Sequence, residues 1–193
     1  VSEVKEMQYY EELFETLNAK IWDYAELKFE EYQSSEALID MMKTHGFSVE
    51  RGLAGMDTAF RATAGKGRPV IGLLAEYDAL SGLSQKAGQL EPIPRKETEN
   101  GHGCGHCLLG TAAAGAALMA KDYLIQTGRE GTVVLIGCPA EEGGSGKAYL
   151  ARAGVFDDLD AALTWHPAGG NAVLTGSLQA NCQACFRFHG VSS

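Results

Sequence analysis

The sequence predicts an α/β fold in which helices are layered on a central sheet. Three features carry this expectation. PVIGLLAEY (69–77) and GTVVLIGCP (131–139) are nearly continuous apolar runs, as in strands covered on both faces. Between them, LLGTAAAGAALMAKDYLIQT (108–127) is alanine-rich and nearly apolar, as in a helix buried against a sheet. The strand–helix–strand order then continues through GSGKAYLARAG (144–154) and DAALTW (160–165).

The elements can be taken in order. Tyr10, Leu13, Phe14, Leu17 and Ile21 form one stripe at helical period, which Trp22 and Tyr24 extend toward Leu27 and Phe29. A second helix is expected to start at Ser34-Ser35, with Glu36 in its first turn and Leu38, Ile39, Met41 and Met42 facing inward. His45-Gly46 reads as its end. FSVE (47–50) and Thr58–Ala64 read as strands, the latter closed by a Gly65-Lys66-Gly67 turn. Residues 78–99 lack periodicity and hold two prolines, so a long surface loop is expected there. Gly154 stops the helix over 144–154. AVLTGSLQ and NCQACFRFHG read as strands of a partly antiparallel kind. The chain stops just after FRFHGVSS, with no closing element, as expected of a fragment.

Composition narrows the function. At 193 residues and 45% hydrophobic, the chain can build a core for one domain, or for one domain and part of another. The formal charge of -9, with no basic patch, argues against a nucleic-acid partner. No uninterrupted apolar stretch of membrane-spanning length occurs, and the charged VSEVKEMQYYEELF lacks the apolar run of a signal peptide, so a cytoplasmic location is expected. The 5 cysteines are odd in number, against a disulfide scaffold. Cys104/Cys107 and Cys182/Cys185 have the spacing of a four-thiolate zinc site, but the second pair alternates like a strand and points to opposite faces. A thioredoxin-like redox pair fits poorly with Gly105-His106 between the thiols. The chain has no complete phosphate loop or dinucleotide fingerprint, and no GxSxG elbow.

The chemistry gathers after the apolar strands. AEYDAL, PAEEGG and WHPAGG each follow one, and NGHGCGHC precedes the alanine-rich helix. Ligands of parallel α/β sheets bind beyond the carboxyl ends of the strands. Adjacent acids in a loop are ordinarily solvated charge. Glu141-Glu142, however, follow a strand directly, and a metal hydrolase needs one carboxylate on the ion and another to take a proton from water. Cys104 and His106 face the same side if the segment is extended, and both donors suit a borderline ion such as zinc. His166 offers a further nitrogen.

On AEYDALSGLSQKAG, NGHGCGHCLLGTAA, GCPAEEGGSGKAYLARAGVFDD and DAALTWHPA, the sequence resembles the amidohydrolase branch of the M20 metallopeptidases. The resemblance runs from the first helix to the end of the chain. It implies a layered α/β/α zinc-peptidase-like catalytic domain with a mixed central sheet, incomplete at its C-terminal side. Residues 1–182 would be the N-terminal part of that domain, and 183–193 a strand leading toward a lid or dimerisation domain. It also implies two divalent ions, Mn2+ or Zn2+. Cys104 would bridge or cap them, His106, Glu142 and His166 would be ligands, Glu141 the general base, and Asp78 the carboxylate that steadies a ligand histidine. His102 looks like loop structure. The implied substrate is an N-acyl amino acid, with an aromatic acyl-glutamate as the specific case. The implied assembly is a homodimer or hetero-oligomer through the lid. Cys107 stands where many relatives carry Asp or Asn, and Ser81 where proline is common. Relatives are roughly twice as long and return to the sheet with a further histidine. A non-catalytic fragment or subunit that keeps the fold, and a structural zinc domain joining Cys182 and Cys185 to Cys104 and Cys107, are the rival readings.

Overall fold

A computed structural model of the chain describes residues 2–173, 184 and 186–191. The order is α1 (Ser2–Tyr24), α2 (Tyr32–Thr44), β1 (Ser48–Arg51), a 3-10 turn (Leu53–Gly55), β2 (Phe60–Lys66), β3 (Val70–Ala75), α3 (His106–Thr127), β4 (Gly131–Gly137), a one-turn α4 (Glu141–Gly144), α5 (Gly146–Arg152) and β5 (Ala161–Leu163). Among the described residues, five strands form a single mixed sheet in the order β1-β2-β4-β3-β5. β3 is parallel to both β4 and β5, while β2 runs antiparallel to β1 and β4. The layered α/β class with a mixed sheet is therefore observed.

The period of two along β4 divides the core. Val133 and Leu135 face a cluster built from α1, α2 and α3, including Leu17, Ile21, Leu38, Met42, Ala114 and Leu118. Val134 and Ile136 face Leu53, Met56, Ala59 and Leu150 on the other side. By length and composition alone α3 could cross a membrane, but here it is the core helix, with Leu109, Ala113, Ala114, Ala117 and Leu118 buried. Its small residues permit close approach. A Cβ on Gly110 would stand 2.5 Å from the backbone oxygen of Glu76.

Several expected boundaries move. α2 starts at Tyr32, so Ser34 and Ser35 lie inside it and are buried. Its free N-terminal amides are met from outside the helix: Glu26 accepts the N–H groups of Gln33 at 2.9 Å and Ser34 at 2.8 Å. The turn expected at Gly65-Lys66-Gly67 begins later, because Gly65 and Lys66 pair with Thr132 and Gly131 in the sheet. α3 starts two residues early, at His106, after Gly105 turns the chain at φ 83°. Residues 78–99 contain no helix or strand, as expected of a surface loop, and Arg95 holds them to the end of α1 through Trp22 O at 3.1 Å. The expected strand AVLTGSLQ falls largely outside the described residues, as do Cys182 and Cys185, whereas the described residues of NCQACFRFHG, 184 and 186–190, form no strand.

β5 pairs with β3 alone among the described residues, and it is exposed along its length. Leu163, Trp165, Leu108 and Met119 leave an apolar surface beside it.

Candidate metal centre

Parallel β3, β4 and β5 bring three loops to one edge of the sheet, and the N-terminus of α3 meets them there. β3 delivers Glu76 and Asp78, β4 delivers Glu141 and Glu142, β5 delivers His166, and the α3 turn delivers Cys104 and His106.

His106 is fully buried at the centre. Its Nδ1 lies 2.9 Å from Asp78 Oδ1. A carboxylate can only accept, so Nδ1 carries a proton, and in the neutral imidazole Nε2 presents a lone pair. Among the described residues that Nε2 has no hydrogen-bond partner. Around it stand Glu76 Oε2 at 3.1 Å, Glu141 Oε2 at 3.8 Å and Glu142 Oε1 at 4.0 Å. A buried lone pair among carboxylate oxygens is an arrangement short of a cation. The basicity of His106 reflects this. Burial pulls its pKa down, but the hydrogen bond and charge of Asp78, followed by Glu76 and Glu142, leave it raised.

His166 repeats the pattern at lower burial. Its Nδ1 donates to Pro167 O at 2.8 Å, which leaves the Nε2 lone pair facing Cys104 Sγ at 3.2 Å. The two imidazoles meet edge to face, with centroids 5.7 Å apart. The Cys104 thiol is pushed up to about 12 by burial, by its hydrogen bond to Glu142 and by surrounding carboxylate charge. Thiolate here therefore needs a cation beside it. Among the described residues two donor groups result, Cys104/His106/His166 and Glu76/His106/Glu141, each with its atoms within 4.8 Å of one another. The donor set of thiolate, imidazoles and carboxylates fits divalent ions of the zinc or manganese type.

The turn carrying the two glutamates is held from below. Ala140 sits at φ 57°, a left-handed conformation unusual for a residue with a Cβ. Its N–H donates to Glu31 Oε1 at 2.8 Å, and Thr58 Oγ1 donates to Glu31 Oε2 at 3.0 Å. Glu31 is itself fully buried, and desolvation raises its pKa against four hydrogen bonds that lower it. On the other flank, Glu142 N donates to Asp78 Oδ2 at 2.7 Å, so one carboxylate orients both His106 and the glutamate turn. Burial and the charge of Glu76 raise the pKa of Glu141.

All six residues singled out in the sequence thus lie at one edge of the sheet, although one reason given for them does not hold. Cys104 and His106 are not on an extended segment: Gly105 is left-handed and His106 opens α3, and the turn rather than a strand alternation aims them together. His102 is structural, its Nε2 lying 3.0 Å from Ile21 O. Cys107 is buried in the core below α3 and belongs to neither donor group. Glu76, Glu31 and Lys147 were missed. Glu76 was legible, since it shares a face with Asp78 if the segment is extended. Lys147, whose ammonium donates to Glu76 Oε1, carried no local signal, and neither did Glu31.

Fold and site together define a class: a layered α/β protein with an acid-rich, metal-binding type of donor set at the carboxyl ends of parallel strands. The chain belongs to Peptidase family M20/M25/M40, whose model matches residues 72–184. It is 52% identical to a p-aminobenzoyl-glutamate hydrolase subunit of Escherichia coli over 174 residues, covering 90% of this chain and 36% of that protein. It is 32% identical to the human Xaa-Arg dipeptidase, covering 92% of this chain and 40% of the dipeptidase. Among solved structures, a dinuclear metal-binding peptidase of the M20 family from Bacillus subtilis superposes with a TM-score of 0.64 at 22% identity, covering 79% of this chain and 42% of that one. The chain thus spans well under half the length of these relatives.

Proposed function

We propose that the complete protein is a metal-dependent amidohydrolase that cleaves N-acyl amino acids, with p-aminobenzoyl-glutamate as the leading substrate. The observation that carries this is the buried, unpartnered His106 Nε2, surrounded by carboxylates and adjoining the Cys104–His166 pair. The family match and the 52% identity to the E. coli hydrolase component support the reaction class and the substrate. The Bacillus neighbour described as dinuclear supports a pair of ions. In this reading Cys104, His106, Glu142 and His166 hold Mn2+ or Zn2+. Residues 1–182 are the N-terminal part of the catalytic domain and 183–193 lead toward a lid. The E. coli relative is named as one subunit of its hydrolase, which supports a hetero-oligomer.

Bound ions would make water more acidic and polarise the scissile carbonyl. The chain's own residues do the rest. Asp78 holds the His106 tautomer that turns Nε2 inward, and through Glu142 N it fixes the turn beside it. Glu141 is half-exposed, so it can reach a substrate, and its raised pKa brings it closer to neutrality, where a carboxylate is a better proton carrier. It accepts the proton of the attacking water and delivers it to the departing amine nitrogen.

The test uses the full-length protein loaded with manganese or zinc and assayed for release of p-aminobenzoate. Wild type is expected to turn over. Glu141→Gln is expected to lose on the order of 100-fold or more in kcat while keeping its metal, as for loss of a general base. Full activity in Glu141→Gln would refute the assignment, and a metal-loaded wild type without turnover on any N-acyl amino acid would favour a non-catalytic role.

A further inference from the structure

We infer that Glu76 is a ligand of the ion on the His106 side, held in place by Lys147. The inference rests on the metal-dependent reading above and extends it to a residue that neither the sequence resemblance nor local spacing had assigned.

Glu76 is 6% exposed and lies just past the end of β3. Its two oxygens have different surroundings. Oε1 accepts the Lys147 ammonium from α5. Oε2 faces His106 Nε2 at 3.1 Å. Asp78 accepts from Nδ1 of His106, so in the neutral imidazole Nε2 and Glu76 Oε2 both turn lone pairs toward the space between them. A cation held between the imidazole nitrogen and this buried carboxylate oxygen would satisfy both. Cys104 Sγ lies 3.2 Å from His166 Nε2, in hydrogen-bond contact. Glu76 and His106 would therefore offer donors to one ion, with Glu141 beside them as the proton carrier.

Lys147 is a positioning residue in this arrangement. By occupying Oε1 it would leave Oε2 as the oxygen free to meet a cation. The backbone at this point is also fixed, because Gly110 of α3 packs against the Glu76 carbonyl with no room for a side chain.

The experiment titrates Co(II) into the metal-free full-length protein. Calorimetry and metal analysis give stoichiometry and affinity, and the thiolate-to-cobalt absorption band reports the Cys104 side separately. Wild type is expected to bind two ions. Glu76→Gln is expected to keep the thiolate band but to bind one of the two ions roughly tenfold or more weakly. Lys147→Met is expected to keep two ions with a smaller loss at the same position. If Glu76→Gln fails to fold by circular dichroism, Glu76→Asp decides, since its shorter side chain should fold and still lose roughly tenfold or more. Wild-type stoichiometry and affinity in the folded Glu76 variant would overturn the inference and leave the metal-dependent reading intact. Wild type that binds no ion would overturn both.

Discussion

Glu31 is far from the reacting atoms and yet should be among the most sensitive positions in the chain. Its carboxylate satisfies two buried groups, the N–H of Ala140 and the hydroxyl of Thr58, and the carbonyl of Thr58 in turn accepts from Tyr77. Glu31→Ala would orphan both donors and open a cavity. At roughly 1–3 kcal/mol for each unsatisfied buried group, the loss should be about 2–6 kcal/mol, a large part of the ~5–15 kcal/mol that holds a domain together. Ala140 would also be free to leave its left-handed conformation, which costs about 1–2 kcal/mol, and take Glu141 with it. Glu31→Gln retains an acceptor for Ala140, and its amide can donate to the Thr58 oxygen, so it should stay within about 1 kcal/mol of wild type. The two also differ with pH. The pKa of folded Glu31 is raised above its ordinary 4.5, so its stabilising contribution is complete below that value and is lost as pH rises through the folded pKa. Glu31→Gln removes this decline. Urea denaturation of the full-length protein and both variants, from about pH 4 to pH 8, measures it. Glu31→Ala as stable as wild type, or Glu31→Gln with an unchanged pH slope, would refute the reasoning.

Other outcomes follow from the same geometry. Asp78→Asn can still accept from one partner but lacks the charge that sets the His106 tautomer, so metal affinity measured by calorimetry should fall about 10–100-fold. Gly110→Ala forces a Cβ against the Glu76 carbonyl, and thermal unfolding should show a loss of about 1–3 kcal/mol with weakened metal binding. Cys182→Ser with Cys185→Ser should leave metal content unchanged by elemental analysis, whereas loss of metal would revive the structural zinc domain. Residues 1–193 produced alone should bind a hydrophobic dye at the Leu163–Trp165–Met119 surface more strongly than the full-length protein does, because further chain is expected to cover it.

The fold was legible where one physical cause dominated. Uniform apolarity marked β3, β4 and α3, since an element buried on most sides needs no polar face. Boundaries failed where tertiary contacts overrode local signals. Gly65 looks like a turn, yet a Cβ there would lie 2.3 Å from Gly131 O, so its glycine serves close strand pairing. Ser34-Ser35 looks like a helix cap, yet Glu26 caps the helix across a loop. The site was legible as four segments because parallel strands must end on the same edge. Its support was not: Glu31 and Ala140 are 109 residues apart and Lys147 and Glu76 are 71 apart, and no periodicity links partners that meet only after folding.

Hydrolysis of p-aminobenzoyl-glutamate by the full-length protein, followed through chelation and metal restoration, tests the central claim most directly. Turnover should vanish on removal of the ions and return with manganese or zinc, at about two ions per chain. Turnover that survives complete removal of metal, confirmed by elemental analysis of the same sample, would contradict the account.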